Sequence, residues 1–362
     1  MTDPAPAEPD LRLVDYRPRS RLRRPVHEVP RPRFPAIDVH NHLAAPFGGA
    51  WAGRDAAQLA AVLDEAGVEL FVDLDGGWGE NLHREIERWQ TPLDGRVAVF
   101  CGLDYEAWAT ERDFGELEAA RLREGIAAGA RGLKAWKPLG LTARDPDGRL
   151  VPVGDARLDP LWSTAAELDV PVLIHVADPI AFFDPLDETN ERWEELQAHP
   201  DWHFWPTRPA GRPDLDGFPP FDELIDGLEQ ILARHPGTTF IGAHVGCAPE
   251  DLDRVSTLLE RYPNFDVDIA ARLAELGRQP YTARAFIVRW ADRVLFGTDI
   301  EADPRMYAIH YRFLETLDES FDYDLGPVPP QGRWQIHGLG LPDDVLERVY
   351  AGNARRLVRW TG

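Results

Sequence analysis

Lysine is nearly absent from this chain. Of 39 basic residues in 362, only Lys134 and Lys137 are lysines, and arginine fills every other basic position. Arginine can serve salt bridges and solubility as well as lysine does, but it cannot shed its proton, act as a base or react with carbon dioxide. The two lysines of "GLKAWKPLG" (132–140) are therefore either ordinary surface charges or residues kept for chemistry.

Other scarcities exclude whole classes. Two cysteines, Cys101 and Cys247, without C-x-x-C spacing, rule out a disulfide framework and fit reduced thiols in a cytosol. No apolar run approaches the roughly 18 residues of a membrane helix. The stretch "MTDPAPAEPDLRLVDYRPRSRLRRP" lacks the apolar core of a secretion signal, so a cytoplasmic chain with no membrane partner is expected. Positive charge is in deficit: 62 acids against 39 bases leave a formal charge of −23, which would repel a phosphate backbone. Nucleic acid is thereby excluded as a partner and a small-molecule substrate expected. With 44% hydrophobic residues, the chain can bury a sizeable core.

Residues 1–34, rich in proline and arginine, read as an extended arm that either wraps the body or crosses to a neighbouring subunit, which leaves a homo-oligomer open. From 35 to 362, short β-branched runs alternate with segments of helical period, the mark of βα units. Strands are predicted at 36–42, 69–75, 96–103, 130–136, 171–177, 238–244, 265–270 and 293–299. Eight such units close most naturally into an α/β (β/α)₈ TIM barrel. A doubly wound sheet would carry a glycine-rich phosphate loop after its first strand, and "DVHNHLAAP" is no such loop. The connection 178–237 is oversized, and loops longer than about 15 residues are functional or disordered. Residues 178–218, inserted after strand five, are expected to form a lid.

In a barrel the C-terminal strand ends converge on one mouth. The predicted ends carry His40 and His42, Lys134, His175, His244 and Asp299. Residues two apart on a strand share a face, so "HNH" aims both imidazoles inward and turns Asn41 out. One histidine on an apolar strand is usually a satisfied core residue. Four, with an aspartate, form a donor set suited to Zn²⁺ first and to Mn²⁺ or Fe²⁺ as alternatives.

"DVHNH", "IHVAD", "AHVG" and "FGTD", with a closing "VYAGNARRL", together resemble the amidohydrolase superfamily in its amidohydrolase-2 branch, over about residues 36–357. The resemblance implies one metal ion held by His40, His42, His175 and Asp299 with His244 beside it. In two-metal members, a carboxylated strand-four lysine, here Lys134, bridges the ions and His175 and His244 hold the second. Many members carry G-x-K-x-H-P at this point; here Trp136 stands where that histidine would be. The implied activity is metal-dependent hydrolysis of an amide, ester or lactone, with Asp299 as general acid and base and His244 stabilising an oxyanion. Non-oxidative decarboxylation or hydration is the alternative within the branch, and a non-catalytic binding barrel the alternative outside it.

Substrate-binding candidates are Trp136, Lys137, Asn190, Glu191, Arg192 and Arg272. Lys137 either binds an anionic group or is solvated. Arg272 either clamps a carboxylate or pairs with Asp268 or Glu275. The loop aromatics Trp193, Trp202, Phe204 and Trp205 either line a pocket or form a small core of their own.

Overall fold

A computed structural model describes residues 11–12, 16, 18–19, 21–44, 50–93, 95–205 and 218–360. Parts of the predicted arm, and residues 206–217 of the predicted lid, lie outside the described residues.

Each of the eight predicted runs overlaps a strand: β1 (Ala36–Asn41), β2 (Val68–Asp73), β3 (Val97–Val99), β4 (Leu133–Ala135), β5 (Val172–Ile174), β6 (Phe240–Gly242), β7 (Phe265–Asp268) and β8 (Val294–Leu295). Neighbours pair in parallel within the orders β1-β2-β3 and β4-β5-β6-β7-β8. Backbone hydrogen bonds join the two sheets into a barrel. At one seam, Cys101 N donates to Gly132 O (3.0 Å) and Lys134 N to Cys101 O (2.7 Å). At the other, Val39 N donates to Phe296 O (3.1 Å) and Asp299 N to His40 O (2.8 Å).

The period of two sorts side chains between two cores. Ile37, Val39, Val72, Ala98, Leu173, Ile241 and Leu295 fill the barrel, joined by Ala354 and Val358 from the end of the chain. The alternate residues Phe71, Val97, Val99, Val172, Ile174, Phe240 and Val294 face the helix layer. That layer comprises α1 (Ala56–Ala66), α2 (Gly79–Glu85), α3 (Phe114–Ala128), α4 (Asp159–Glu167), α5 (Phe221–Arg234), α6 (Leu252–Arg261), α7 (Pro280–Arg289) and α8 (Pro304–Glu315). The closing sequence "VYAGNARRL" thus lends Ala354 to the barrel interior.

Strands are shorter than predicted, for a local reason. His175 follows β5 directly, whereas His244 lies beyond β6 and Asp299 beyond β8. The left-handed φ of His244 (57°) and Asp299 (52°) takes the chain out of the extended region. Asn41 also departs from expectation. Its side chain is buried, donating to Asp38 Oδ2 (3.1 Å) and Thr298 Oγ1 (3.0 Å), because the β1–β2 register shifts between Asp38 and Asn41.

The described part of the arm wraps the body. His27 N donates to Asp318 Oδ2 (2.8 Å) and Arg33 N to Glu315 Oε1 on α8 (2.8 Å).

The segment after β5 is fastened by charge. Arg192, fully buried, pairs with Glu195 (2.8 Å) and with Glu275. Glu191 pairs with Arg278 (3.0 Å) and Glu194 with Arg333 (2.7 Å). Asn190 Nδ2 donates to Ala181 O (2.8 Å) and Pro185 O (3.1 Å). Asn190, Glu191 and Arg192, expected to contact substrate, are spent instead on holding this segment in place. Of the expected aromatics, Phe204 packs in a small cluster, tilted against Phe183 and edge-to-face on Phe218, with Phe221 edge-to-face on Phe183; Trp202, with Phe182, reaches the cavity described below, and Trp193 is exposed.

Truncating one partner of a buried ion pair leaves the other charge unmatched, at a cost of roughly 3–5 kcal/mol. Arg192→Ala is expected to lose about that much stability in urea unfolding, because Glu195 and Glu275 would both lose their cation.

Candidate metal centre

The centre is built outward from Asp38, a fully buried carboxylate. Its Oδ1 accepts from the backbone N of His40 (3.2 Å) and of Thr298 (3.1 Å). Its Oδ2 accepts from Asn41 Nδ2, from Thr298 Oγ1 (2.6 Å) and from the hydroxyl of Tyr307 on α8 (2.7 Å). Burial pushes the Asp38 carboxyl up from its usual range, and these donors oppose the rise.

Three histidine rings are then oriented by the same device. His40 Nδ1 donates to Asp268 Oδ2 (2.8 Å), His42 Nδ1 to Asp75 Oδ1 (2.6 Å) and His244 Nδ1 to Ala270 O (2.9 Å). Fixing the proton on Nδ1 leaves a lone pair on Nε2, and the three Nε2 atoms surround one carboxylate. His42 Nε2 lies 3.5 Å from Asp299 Oδ1, and His244 Nε2 and His40 Nε2 lie 3.7 and 3.9 Å from Oδ2. His40, His42 and Asp299 offer donor atoms that all lie within 4.8 Å of one another. His40, His244 and Asp268 form a second close trio. Asp268 is already engaged, however, accepting from His40 Nδ1 and from the backbone N of His244 (2.9 Å) and Ala270 (3.0 Å), so it orients rings instead.

His175 belongs to neither trio. Its ring lies 4.4 Å from that of His244, and among the described residues its buried Nε2 has no hydrogen-bond partner, with Asp178 Oδ1 3.5 Å away. Lys134, within β4, brings Nζ to 3.3 Å from His40 Nε2. Burial drives the titrations: it holds His40 and His244 well below the ordinary imidazole value, takes His175 down to about 4 and Lys134 down to about 8, and raises Asp299. Neutral imidazoles at neutral pH, one of them orphaned, beside a carboxylate open to the cavity, are what a divalent cation of the zinc type requires. The paired carboxylate or carbonyl behind each of the three oriented rings is the usual outer support of such a ligand.

The cavity above these atoms holds about 740 Å³, and its walls include Trp136, Lys137, Phe182, Trp202, Arg272 and Gln331. Lys137 is not merely solvated: its Nζ pairs with Asp178 Oδ2 (2.7 Å) and lies 5.6 to 5.9 Å from the rings of Trp136, Trp202 and Phe204. Arg272 makes neither of the structural ion pairs expected of it, since Asp268 serves His40 and Glu275 serves Arg192. A larger hollow, about 910 Å³, lies where β1, β2 and β3 begin; its Arg33, Arg96 and Arg355 are matched by Asp343, Asp64 and Glu69, and its Arg31 donates to the carbonyls of Asp64 and Glu65.

Sequence reasoning missed Asp75 and Asp178. Asp75, two residues after Asp73 at the end of β2, carried the same strand-end signal as the histidines. Asp178 closes the quoted "IHVAD".

Metal analysis of purified protein is expected to find a divalent ion that a His40→Ala, His42→Ala double variant lacks. Asp75→Asn, which only loosens His42, should weaken affinity by about 10–100-fold.

No curated protein matches the sequence. Among solved structures, a 2,6-dihydroxybenzoate decarboxylase in complex with 2,6-dihydroxybenzoate is similar at 16% identity and a TM-score of 0.51, over 89% of this chain and 98% of that one. A Staphylococcus aureus protein provisionally named an amidohydrolase is similar at 16% identity and a TM-score of 0.53, over 89% and 99%. An uncharacterized TIM-barrel protein from Bordetella bronchiseptica gives 15% and 0.52, over 89% and 97%. At such identities these likenesses establish the fold alone. The family model described as amidohydrolase, however, matches residues 37–360. The match takes in β1 through the last helix of the chain, and with it every residue of the centre just described. The chain belongs to the amidohydrolase family, in its amidohydrolase-2 branch.

Proposed function

We propose that the chain is a metal-dependent hydrolase acting on an amide, ester or lactone of a small organic molecule. The observation that carries this reading is the convergence of His40, His42 and His244 Nε2 on Asp299, each ring held by its Nδ1. His40, His42, His244 and Asp299 would hold the ion, with His175 Nε2 as a further donor, and zinc suits this nitrogen-rich set best, manganese or iron next. A divalent ion supplies Lewis acidity there, lowering the pKa of a water and polarising a carbonyl.

The chain's own groups do the rest. Asp299, partly open to the cavity, takes the attacking water's proton and returns it to the leaving group. His244 suits a ligand role better than an oxyanion donor's, since its proton is committed to Ala270 O and Nε2 has none to give. The donor to the developing oxyanion is then Lys134, buried among the ligands. Carboxylated by carbon dioxide, the same lysine would instead bridge two ions. Carboxylation needs an amine, and a guanidinium would place a permanent charge among the buried ligands, so Lys134→Arg is expected to abolish turnover, while Lys137→Arg, which keeps the charge facing Asp178, should only reduce it. The segment 178–205 contributes Asp178, Phe182 and Trp202 to the cavity and would act as the selectivity wall of the 35–362 barrel domain.

One observation favours a second reading. Arg272, which among the described residues has no carboxylate within ion-pair distance, could seat a substrate carboxylate as a non-oxidative decarboxylase requires, and the decarboxylase of similar fold was solved with an aromatic carboxylate. Turnover in ¹⁸O-labelled water separates the two. A hydrolase places the label in its acid product, and carbon dioxide release without that label would overturn the hydrolytic reading.

A further inference from the structure

The second lysine of the chain is engaged before any substrate arrives. Lys137 Nζ donates to Asp178 Oδ2 at 2.7 Å, and the rings of Trp136, Trp202 and Phe204 stand round it at 5.9, 5.6 and 5.8 Å. Three aromatic rings and a carboxylate are a setting that holds an ammonium ion. The other oxygen, Asp178 Oδ1, lies 3.5 Å from His175 Nε2, which brings this cluster to the edge of the metal centre.

The places of these partners along the chain matter. Asp178 opens the segment after β5, and Trp202 and Phe204 close its described part, 178–205, so one ammonium touches both ends. Phe204 N donates to Phe182 O (2.8 Å), which draws the same ends together. The middle of the segment is fastened elsewhere, by Arg192 to Glu275 and by Glu191 to Arg278, both on the short helix Leu273–Arg278 after β7. The root of the lysine is fixed as well. The Tyr105 hydroxyl accepts from Trp136 N (2.6 Å) and donates to Trp136 O (3.0 Å), and Pro138 follows Lys137 directly.

We infer that Lys137 is a positioning residue: its ammonium pins both ends of the segment 178–205 to the exit of β4 and so sets the wall against which substrate is held. Trp136, Asp178 and Trp202, all gathered by this pin, line the cavity. The inference rests on the proposed role of the segment as the selectivity wall. Arginine serves less well here, because a compact ammonium fits among ring faces and meets one carboxylate oxygen as a point charge, whereas a guanidinium presents a broad planar fork. A chain that otherwise uses arginine thus has a reason to keep its second lysine. With its charge already answered by Asp178, Lys137 is not the anchor of a substrate anion. A wall held in this way is preorganised, and its contribution is to binding.

Hydrogen exchange of the full chain, read peptide by peptide in protein as purified and again after chelation, tests the pin. Lys137→Met is expected to speed exchange within 178–205 about tenfold in both states and to leave the barrel strands unchanged. Lys137→Arg should keep part of the protection. In Lys137→Ala, n-propylammonium, which supplies the missing atoms, should restore protection, and neutral n-propanol should not; Lys137→Met carries the test if Lys137→Ala folds poorly. Unchanged exchange in 178–205, an equal acceleration in the barrel strands, or rescue by propanol as complete as by propylammonium would each overturn the inference. Hydrolysis of 4-nitrophenyl acetate by metal-loaded protein separates positioning from mere stability: the loss in Lys137→Met should fall on KM, by about tenfold, and not on kcat. A lowered kcat with KM unchanged would count against the pin. If the ester is not turned over at all, the hydrolytic reading is what suffers, and the exchange pattern still decides the role of Lys137.

Discussion

The centre depends on a buried carboxylate that, among the described residues, pairs with no cation. Asp38 gathers donors from its own strand, from Thr298 beyond β8 and from Tyr307 on α8, so that one side chain ties the first strand of the barrel to its last strand and outer layer. Barrel closure and ligand geometry are therefore a single constraint. The seam that Asp38 locks is the one where Asp299 N donates to His40 O, which sets the Asp299 carboxylate against the strand-one rings. A buried charge survives here because every approach to it is a donor, the condition under which such groups rigidify a core.

A second principle governs what surrounds the ring nitrogens. Carboxylates are used as supports as well as ligands: Asp75 and Asp268 stand behind His42 and His40, and only Asp299 faces the shared space. Burial keeps the His40 and His244 rings neutral, each with its one proton on the nitrogen that faces its support. The strand exits store strain as well, since His244, Ala271 and Asp299 all hold left-handed backbone angles at the mouth, with none of them glycine.

Much of this is legible in the sequence. The eight strands showed because β-branched runs alternate with helical periods, and the histidines showed because polar residues ending apolar strands have few bland explanations. What stayed hidden depends on closure. Asp268 reaches His40 from 228 positions away and Thr298 reaches Asp38 from 260, pairings that no local window contains. The same holds for Arg192, whose partner Glu275 comes from the short helix Leu273–Arg278 after β7, so a charged loop segment that reads as substrate chemistry is a fastening. The left-handed exit at His244 was equally invisible, because histidine and valine carry none of the glycine signal that usually announces such a turn.

The scarcity of lysine has a practical corollary. Acylating and reductive-alkylating reagents attack unprotonated primary amines, and arginine is inert to them. Besides the terminal amine, this chain offers such a reagent two side chains, one buried against His40 Nε2 and the other in the cavity wall beside Asp178. An affinity label built on an electrophilic carbonyl would thus be directed to the site by the composition of the chain, and the extent of modification would report how open the mouth is to solvent.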